Sequence, residues 1–417
     1  MTKLCIEGGH RLSGSVDIHG AKNSALPLLA ATVLVDGVCR IDNCPQLSDV
    51  AAAVAILEHL GCVVTREDHT VTVDATGVCC GDIPDKLMRE MRSSIVFLGA
   101  VAARNGTANL SFPGGCELGP RPIDLHLAAL RRLGLHIDEA GGQLRCRRNG
   151  RFTGCDITLA FPSVGATENI LLAAVTARGT TTLYNAAREP EIADLCAFLT
   201  ACGARIRGDG EGTLIIEGVE ALHGCEHRVI PDRIETVTYL AAAAVTGGSL
   251  LLKHVYPAHI GAVIPMVEEM GCHLTVWEDE LLVNAPPRLR RVKTVRTLPY
   301  PGFPTDAQAL LMAMACVADG TSVFIETIFD SRYKHVGELM RLGARIKTEG
   351  RVAVVEGVSP LSAASVDCTD LRGGAALVLA ALAAEGETVI GELHHLERGY
   401  EQIDTALASV GAVIKRM

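Results

Sequence analysis

The sequence predicts an α/β fold built as two pseudo-symmetric domains, each of three βαβαββ-like repeats with buried helices. The first observation behind this is a recurring helix end. Ile56-Leu-Glu-His-Leu-Gly61, Ala129-Leu-Arg-Arg-Leu-Gly134, Phe198-Leu-Thr-Ala-Cys-Gly203, Met266-Val-Glu-Glu-Met-Gly271, Glu338-Leu-Met-Arg-Leu-Gly343 and Ala406-Leu-Ala-Ser-Val-Gly411 lie about 70 residues apart. Each joins an apolar helix to an alternating strand, and the glycine is expected as a C-terminal cap, where the chain turns through positive φ. The second observation is a more apolar, alanine-rich helix about half a unit away, read over residues 25–34, 93–103, 168–177, 236–245, 307–317 and 374–384. A helix without a polar face belongs inside its unit. The third is that the last repeat stops short. After Gly411 there is sequence for one strand only, and the missing strands are read in Lys3-Leu-Cys-Ile-Glu7 and Ser15-Val-Asp-Ile-His19. The first twenty or so residues are therefore expected to complete the last repeat, giving one domain of residues 22–229, a second of 1–21 plus 230–417, and a site in the cleft between them.

Composition bounds the function. A chain of 417 residues, 48% hydrophobic and 21% charged, reads as soluble and globular, with core enough for two large domains. Apolar runs such as 375–384 reach half the length of a bilayer span, and the first ten residues carry no apolar signal core, so the expectation is a cytoplasmic protein with no membrane partner. Fifteen cysteines, scattered singly apart from Cys79-Cys80 and without a Cys-x-x-Cys pair, suit a reducing compartment. A net charge of −10 argues against general nucleic-acid binding, so an anionic small ligand needs a local cluster of cations.

Such cations recur at one place in the repeat. The starts of the six apolar helices carry Lys22-Asn23, Arg92, Ser163-Val-Gly-Ala-Thr167, Asp232-Arg233, Pro304-Thr-Asp306 and Asp370-Leu-Arg372. Helix N-termini direct unsatisfied N–H groups and positive dipole ends outward, which suits anions. Ser163, Thr305 and Asp306 can each equally be an ordinary cap.

Phe112-Pro-Gly-Gly-Cys-Glu-Leu-Gly-Pro-Arg-Pro-Ile-Asp-Leu-His126 holds three glycines and three prolines and reads as a shaped loop leading into a helix near Ile123. It presents Cys116 beside Arg121 and Asp124, neighbours that can favour a thiolate. Cys116 can also be one ordinary thiol among many. His394-His395 are adjacent and cannot readily share one ion, so no metal is expected there.

Gly20-Ala-Lys-Asn-Ser-Ala-Leu-Pro27, Gly114-Gly-Cys-Glu-Leu-Gly-Pro-Arg-Pro-Ile-Asp-Leu-His126, Phe303-Pro-Thr-Asp306, Asp370-Leu-Arg372 and Arg398-Gly-Tyr-Glu401 together resemble the enolpyruvyl transferases, end to end and in family order. Within that family the chain is most similar to the branch whose acceptor is UDP-N-acetylglucosamine. The resemblance implies the family's fold, an inside-out α/β barrel in each domain. It implies transfer of the enolpyruvyl group of phosphoenolpyruvate to the sugar 3′-hydroxyl with release of phosphate, the first committed step of peptidoglycan synthesis, without a cofactor. By the same resemblance Cys116 is the acid to the vinyl methylene and the thiol that fosfomycin alkylates. Lys22, Arg121 and Arg398 hold phosphoenolpyruvate with Arg92 nearby, Asp306 takes the hydroxyl proton, and Asn23 holds the intermediate. Arg121, Pro122, Ile123, Asp124 and Leu125, with Ser163, Val164, Gly165 and Ile328, match the nucleotide-sugar pocket, and Asp370, Arg372 and His395 line the site.

The glycines around Cys116 suit a lid that closes over a reactive intermediate. The chain departs from the family at Asp330-Ser-Arg332, at Gly373 and at the proline before Arg121, none of which removes a catalytic group. A monomer is expected. Two rivals are weighed. The shikimate-pathway transferase shares the chemistry but lacks the lid cysteine, and the intact set Lys22, Cys116, Arg121, Asp306 and Arg398 speaks against a catalytically idle homologue.

Overall fold

The computed structural model describes residues 2–113 and 122–417. Cys116 and Arg121 lie outside the described residues, as does the proline that precedes Arg121. The fold is mixed α/β. Among the described residues the chain separates into two compact units, one running from Gly20 to Ile230, the other made of the stretch up to His19 together with Pro231–Met417. Each has its own hydrophobic core.

The 20–230 unit is organised on α1 (Lys22–Thr32), α2 (Phe97–Asn105, preceded by a 3-10 turn Arg92–Val96) and α3 (Val164–Ala174). Leu28, Leu29, Phe97, Leu98, Ile170 and Leu171 have no exposed surface, and α2 packs against both α1 and α3. The 231–417 unit is organised on α4 (Arg233–Val245), α5 (Thr305–Cys316) and α6 (Leu371–Ala383), which pack pairwise against one another. Alanines fill these helices, so backbones approach closely. Burying the wide faces of three such helices is the main favourable term in each unit, at roughly 25 cal/mol per Å2 of apolar surface.

Among the described residues six four-stranded sheets share one recurring order, an edge strand, a parallel neighbour, then two antiparallel strands, and α2 to α6 pack directly on strands of their own sheets. In the second repeat these are Asp82–Ile83, Thr107–Ser111, Gln143–Arg148 and Leu135–Ala140. The strands alternate buried and exposed residues, as Thr321–Ile325 does, because only one sheet face meets the helices. The six repeat glycines, Gly61, Gly134, Gly203, Gly271, Gly343 and Gly411, all have φ between 89° and 106°. The sequence period therefore marked a real left-handed cap in every repeat.

The N-terminal strands divide differently from the expectation. Leu4–Glu7 lies in the sixth sheet, antiparallel to both Glu387–Gly391 and Val413–Arg416, and so completes the last repeat. Ser13–Asp17 instead pairs parallel with Ser249–Lys253, as the edge strand of the fourth repeat. The 20–230 unit closes in the same way, its last strand Glu226–Arg228 pairing parallel with Val38–Asp42 of its first sheet. Among the described residues no helix is long and apolar enough to cross a membrane.

Candidate active site

In the 20–230 unit the distinctive residues sit in the first turns of the inner helices. Lys22 opens α1, is 8% exposed, and its Nζ lies 3.2 Å from Asp49 Oδ2, itself in the first turn of the helix Ser48–His59. A buried ammonium needs such a partner. A cation at a helix N-terminus opposes the dipole, so its placement there is a cost that folding alone does not explain. Asn23 follows, half-buried. Arg92 opens the turn before α2, and its Nη1 donates to the Pro113 carbonyl at 3.5 Å, just before the segment that carries Cys116. Ser163 caps α3, its Oγ accepting from the Ala166 N–H, with Val164 and Gly165 half-buried beyond it. Ile123 precedes the helix Asp124–Arg132 and is buried, whereas Pro122 and Asp124 are exposed and Leu125 is half-buried.

Behind Gly165 lies a buried polar group that pattern reading missed. A Cβ on Gly165 would stand 2.9 Å from His126 Cε1 and 4.0 Å from Glu168 Oε2, so only glycine lets the helix start approach the imidazole. Asn169 donates from Nδ2 to His126 Nδ1 at 2.9 Å and to the Ile95 carbonyl at 3.0 Å, and its Oδ1 accepts from the Gly99 N–H at 2.7 Å. This places His126 as an acceptor at Nδ1. Burial, helped by the Arg92 charge, lowers its pKa to about 4, so the ring is neutral at physiological pH. Burial also raises Glu168 to about 8, with Glu191 and Glu189 adding repulsion.

In the 231–417 unit Asp306 occupies the second position of α5, where the dipole favours an anion. Its Oδ1 accepts from Arg332 Nη2 at 2.9 Å and its Oδ2 from Arg372 Nη2 at 3.4 Å. The two arginine side chains are 2% and 3% exposed and the carboxylate 28%, so a rigid cationic floor carries a reachable acid. Arg332 also donates to the Thr305 carbonyl at 2.9 Å, which fixes the guanidinium to the helix start. Arg372 stacks on Tyr400 with its guanidinium carbon 5.4 Å from the ring centre. Burial would lower Arg372, but Tyr400, Asp306 and Asp232 outweigh it and push its pKa above the ordinary range. Asp370 caps α6, its Oδ1 accepting from the Arg372 and Gly373 N–H groups at 3.1 and 3.0 Å. Arg398 and His395 sit half-buried in the turn Leu393–Arg398.

Ile328 is held by a residue that sequence reading did not single out. Glu326, 1% exposed, accepts from the Ile328 and Phe329 N–H groups at 2.7 and 3.0 Å and from Thr305 Oγ1 at 3.0 Å. One carboxylate thus ties the Ile328 loop to the start of α5. The departures acquire physical content as well. Asp330 pairs with Arg351 while Arg332 holds Asp306. A Cβ on Gly373 would meet Asp370 Oδ2 at 2.6 Å and His335 Cβ at 2.8 Å, so the glycine and the buried histidine fit together.

In one unit the repeated scaffold brings a buried cation, Lys22, to the polar first turn of an apolar helix; in the other it brings two buried arginines against one reachable carboxylate, Asp306, and both arrangements suit small anionic substrates. A family model described as EPSP synthase (3-phosphoshikimate 1-carboxyvinyltransferase) matches residues 6–407. A protein named UDP-N-acetylglucosamine 1-carboxyvinyltransferase 2, from Caldanaerobacter subterraneus subsp. tengcongensis, is 52% identical over 100% of both chains. The Acinetobacter baylyi protein named UDP-N-acetylglucosamine 1-carboxyvinyltransferase is 48% identical over 100% of both. Among solved structures, the enolpyruvyl transferase NikO from Streptomyces tendae matches with TM-score 0.90 and 29% identity, covering 100% of this chain and 99% of that one. EPSP synthase from Acinetobacter baumannii matches with TM-score 0.76 at 18% identity over 100% of both chains, a likeness of fold alone. The chain belongs to the enolpyruvyl transferase family.

Proposed function

We propose that the chain transfers the enolpyruvyl group of phosphoenolpyruvate to the 3′-hydroxyl of UDP-N-acetylglucosamine and releases phosphate, the first committed step of peptidoglycan synthesis. The observation that carries this is identity near one half, over the whole length, to relatives named for that transfer. The buried Lys22, Arg332 and Arg372 supply the local positive field that an acidic chain otherwise lacks. The buried inner helices, ringed by four-stranded sheets, support an inside-out α/β barrel in each domain, and we take 22–229 and 1–21 plus 230–417 as two domains of one cytoplasmic, monomeric enzyme acting on one pair of substrates.

The chemistry follows in balanced steps. The vinyl methylene gains a proton, for which Cys116 is the proposed donor, and the central carbon becomes electrophilic. The sugar hydroxyl oxygen bonds to that carbon while its proton passes to the Asp306 carboxylate. Both Asp306 oxygens are engaged by arginines, so taking the proton means exchanging one of those hydrogen bonds for a bond to the hydroxyl. The methyl then returns a proton to the Cys116 thiolate as the C–O bond to phosphate breaks, the departing phosphate takes the proton held by Asp306, and the vinyl ether product is formed. Lys22, Arg92, Arg121 and Arg398 would neutralise phosphate and carboxylate, Asn23 the intermediate. Arg121–Leu125, Ser163–Gly165 and Ile328 would contact the nucleotide sugar. Asp370 would act through Arg372 by capping the helix that carries it, with His395 at the rim.

The test is phosphate release from phosphoenolpyruvate with UDP-N-acetylglucosamine or 3-phosphoshikimate as acceptor, with and without fosfomycin. Release only with the nucleotide sugar, abolished by the epoxide, is the expected result. Release with 3-phosphoshikimate alone would transfer the chain to the other activity of its family.

A further inference from the structure

Outside the residues assigned to transfer, three thiols meet in the 20–230 unit. Cys39, Cys202 and Cys225 bring their Sγ atoms within 4.8 Å of one another, and among the described residues this is the one place where three thiols converge. The Cys202 and Cys225 Sγ atoms are 3.2 Å apart. Their positions are set by the backbone. Cys39 points inward from the strand Val38–Asp42 and has no exposed surface. Cys225 leads into the neighbouring edge strand, and its carbonyl accepts from the Arg40 N–H at 2.9 Å. Cys202 ends the helix Pro190–Ala201 immediately before the capping Gly203, and its carbonyl accepts from the His223 N–H at 2.9 Å.

The repeat itself singles Cys202 out. At the position before the capping glycine the other five repeats carry Leu60, Leu133, Met270, Leu342 and Val410, all apolar. A fourth donor lies beside the group. The His223 ring packs over the Cys202–Gly203 turn, its Nε2 standing 3.1 Å from where a Gly203 Cβ would be, while its Nδ1 is 3.1 Å from the Gly224 carbonyl. That contact makes Nδ1 the protonated nitrogen and leaves the Nε2 lone pair for a ligand.

We propose that Cys39, Cys202 and Cys225 form a binding site for a thiophilic d10 cation of the zinc and cadmium class, with the exposed His223, whose nitrogens stand outside the 4.8 Å grouping of the three sulfurs, turning its Nε2 inward as the fourth ligand. Around a tetrahedral ion with bonds of about 2.3 Å, sulfurs stand about 3.8 Å apart, a spacing these thiols meet with small side-chain shifts. Binding displaces the thiol protons, so uptake strengthens as pH rises. An ion here would pin the unit's last strand, through Cys225, to its first sheet, through Cys39, and to its third repeat, through Cys202. The site would be structural and separate from transfer chemistry.

The test uses the full chain, reduced and stripped with a chelator, titrated with cadmium and followed by thiolate-to-cadmium charge-transfer absorption. One cadmium per chain is expected, displaced by zinc, with the melting temperature raised as ligand linkage requires. Cys39→Ser, Cys202→Ser and Cys225→Ser should each weaken binding by more than the roughly 10–100-fold that losing an outer-shell partner costs. A Cys79→Ser/Cys116→Ser background should keep the signal. Cys225 is half-buried, so its serine variant tests the site even where the two fully buried ones fold poorly. Absence of the band, a band that survives Cys225→Ser, or a resting Cys202–Cys225 disulfide with no cadmium uptake after reduction would each overturn the proposal.

Discussion

The start of α1 and the start of α5 occupy equivalent places in the repeat and solve opposite electrostatic problems. Lys22 opposes its helix dipole, is almost fully buried, and is offset by the buried Asp49. Asp306 agrees with its dipole, stays reachable, and is over-supplied with charge by two buried arginines. A fold that merely capped its helices would choose the second sign in both places. On the proposed reading the lysine is where folding stability is given up for an anion, while the arginine pair holds a carboxylate in one orientation.

The largest effect expected from breaking this comparison is at Arg332. Arg332→Met removes one half of the floor under Asp306 and its bond to the Thr305 carbonyl. Breaking a buried pair costs about 3–5 kcal/mol, read as a fall in the denaturant midpoint. The transfer rate should fall with it, and Arg332→Lys should recover stability better than rate, because an ammonium cannot reproduce the fork.

Lys22→Met should come next. Relief of the dipole conflict offsets part of the lost Asp49 pair, so the stability change is smaller than at Arg332, about 1–3 kcal/mol. KM for phosphoenolpyruvate should rise far more than KM for the sugar nucleotide. An equal rise in both would remove Lys22 from anion binding.

Gly373→Ala sharpens the account of α6. The new methyl meets Asp370 Oδ2 and His335 Cβ, both closer than 3.0 Å, and overpacking of this kind costs about 1–3 kcal/mol. A thermal melt of Gly373→Ala beside the parent reads that loss, and an unchanged melting temperature would contradict it.

The last effect concerns Glu168 and is read as a change with pH. Its folded pKa is raised to about 8 from an ordinary 4.5. The folded state therefore holds a proton that the unfolded state has released. That stability is full below pH 4.5 and is lost as pH rises through 8. Glu168→Gln should match the parent at pH 4.5 and melt higher at pH 8 to 9. A constant difference across that window would contradict the burial assignment.

Much of this architecture was legible because it is repeated. Six capping glycines and six alanine-rich helices each repeat a local requirement, and local requirements are what sequence carries. The apolar pattern placed most inner helices two to four residues too far along. Residues 236–245 and 374–384 were read where the helices are Arg233–Val245 and Leu371–Ala383. The missing turns are the polar ones, so hydrophobic periodicity is blind to the part of the helix that carries the candidate site. The partner of Ser13–Asp17 was misassigned because a short strand does not encode which sheet it joins. Glu326, His335 and the Arg332–Asp306 pair depend on side chains brought together from 20 or more residues away, and no spacing announces them. The chain's departure at Asp330-Ser-Arg332 was the one signal that led toward Arg332.

The most direct test of the central claim, that the carboxylate held by Arg332 and Arg372 takes the acceptor's proton, is the single-turnover rate of Asp306→Asn with phosphoenolpyruvate and UDP-N-acetylglucosamine, measured beside the affinity for each. The account predicts a rate lower by about 100- to 10,000-fold, the usual worth of a general base, with affinity for the sugar nucleotide nearly unchanged and the fold intact. A variant that turns over within a few-fold of the parent would contradict it and leave Asp306 a helix cap with two ion pairs.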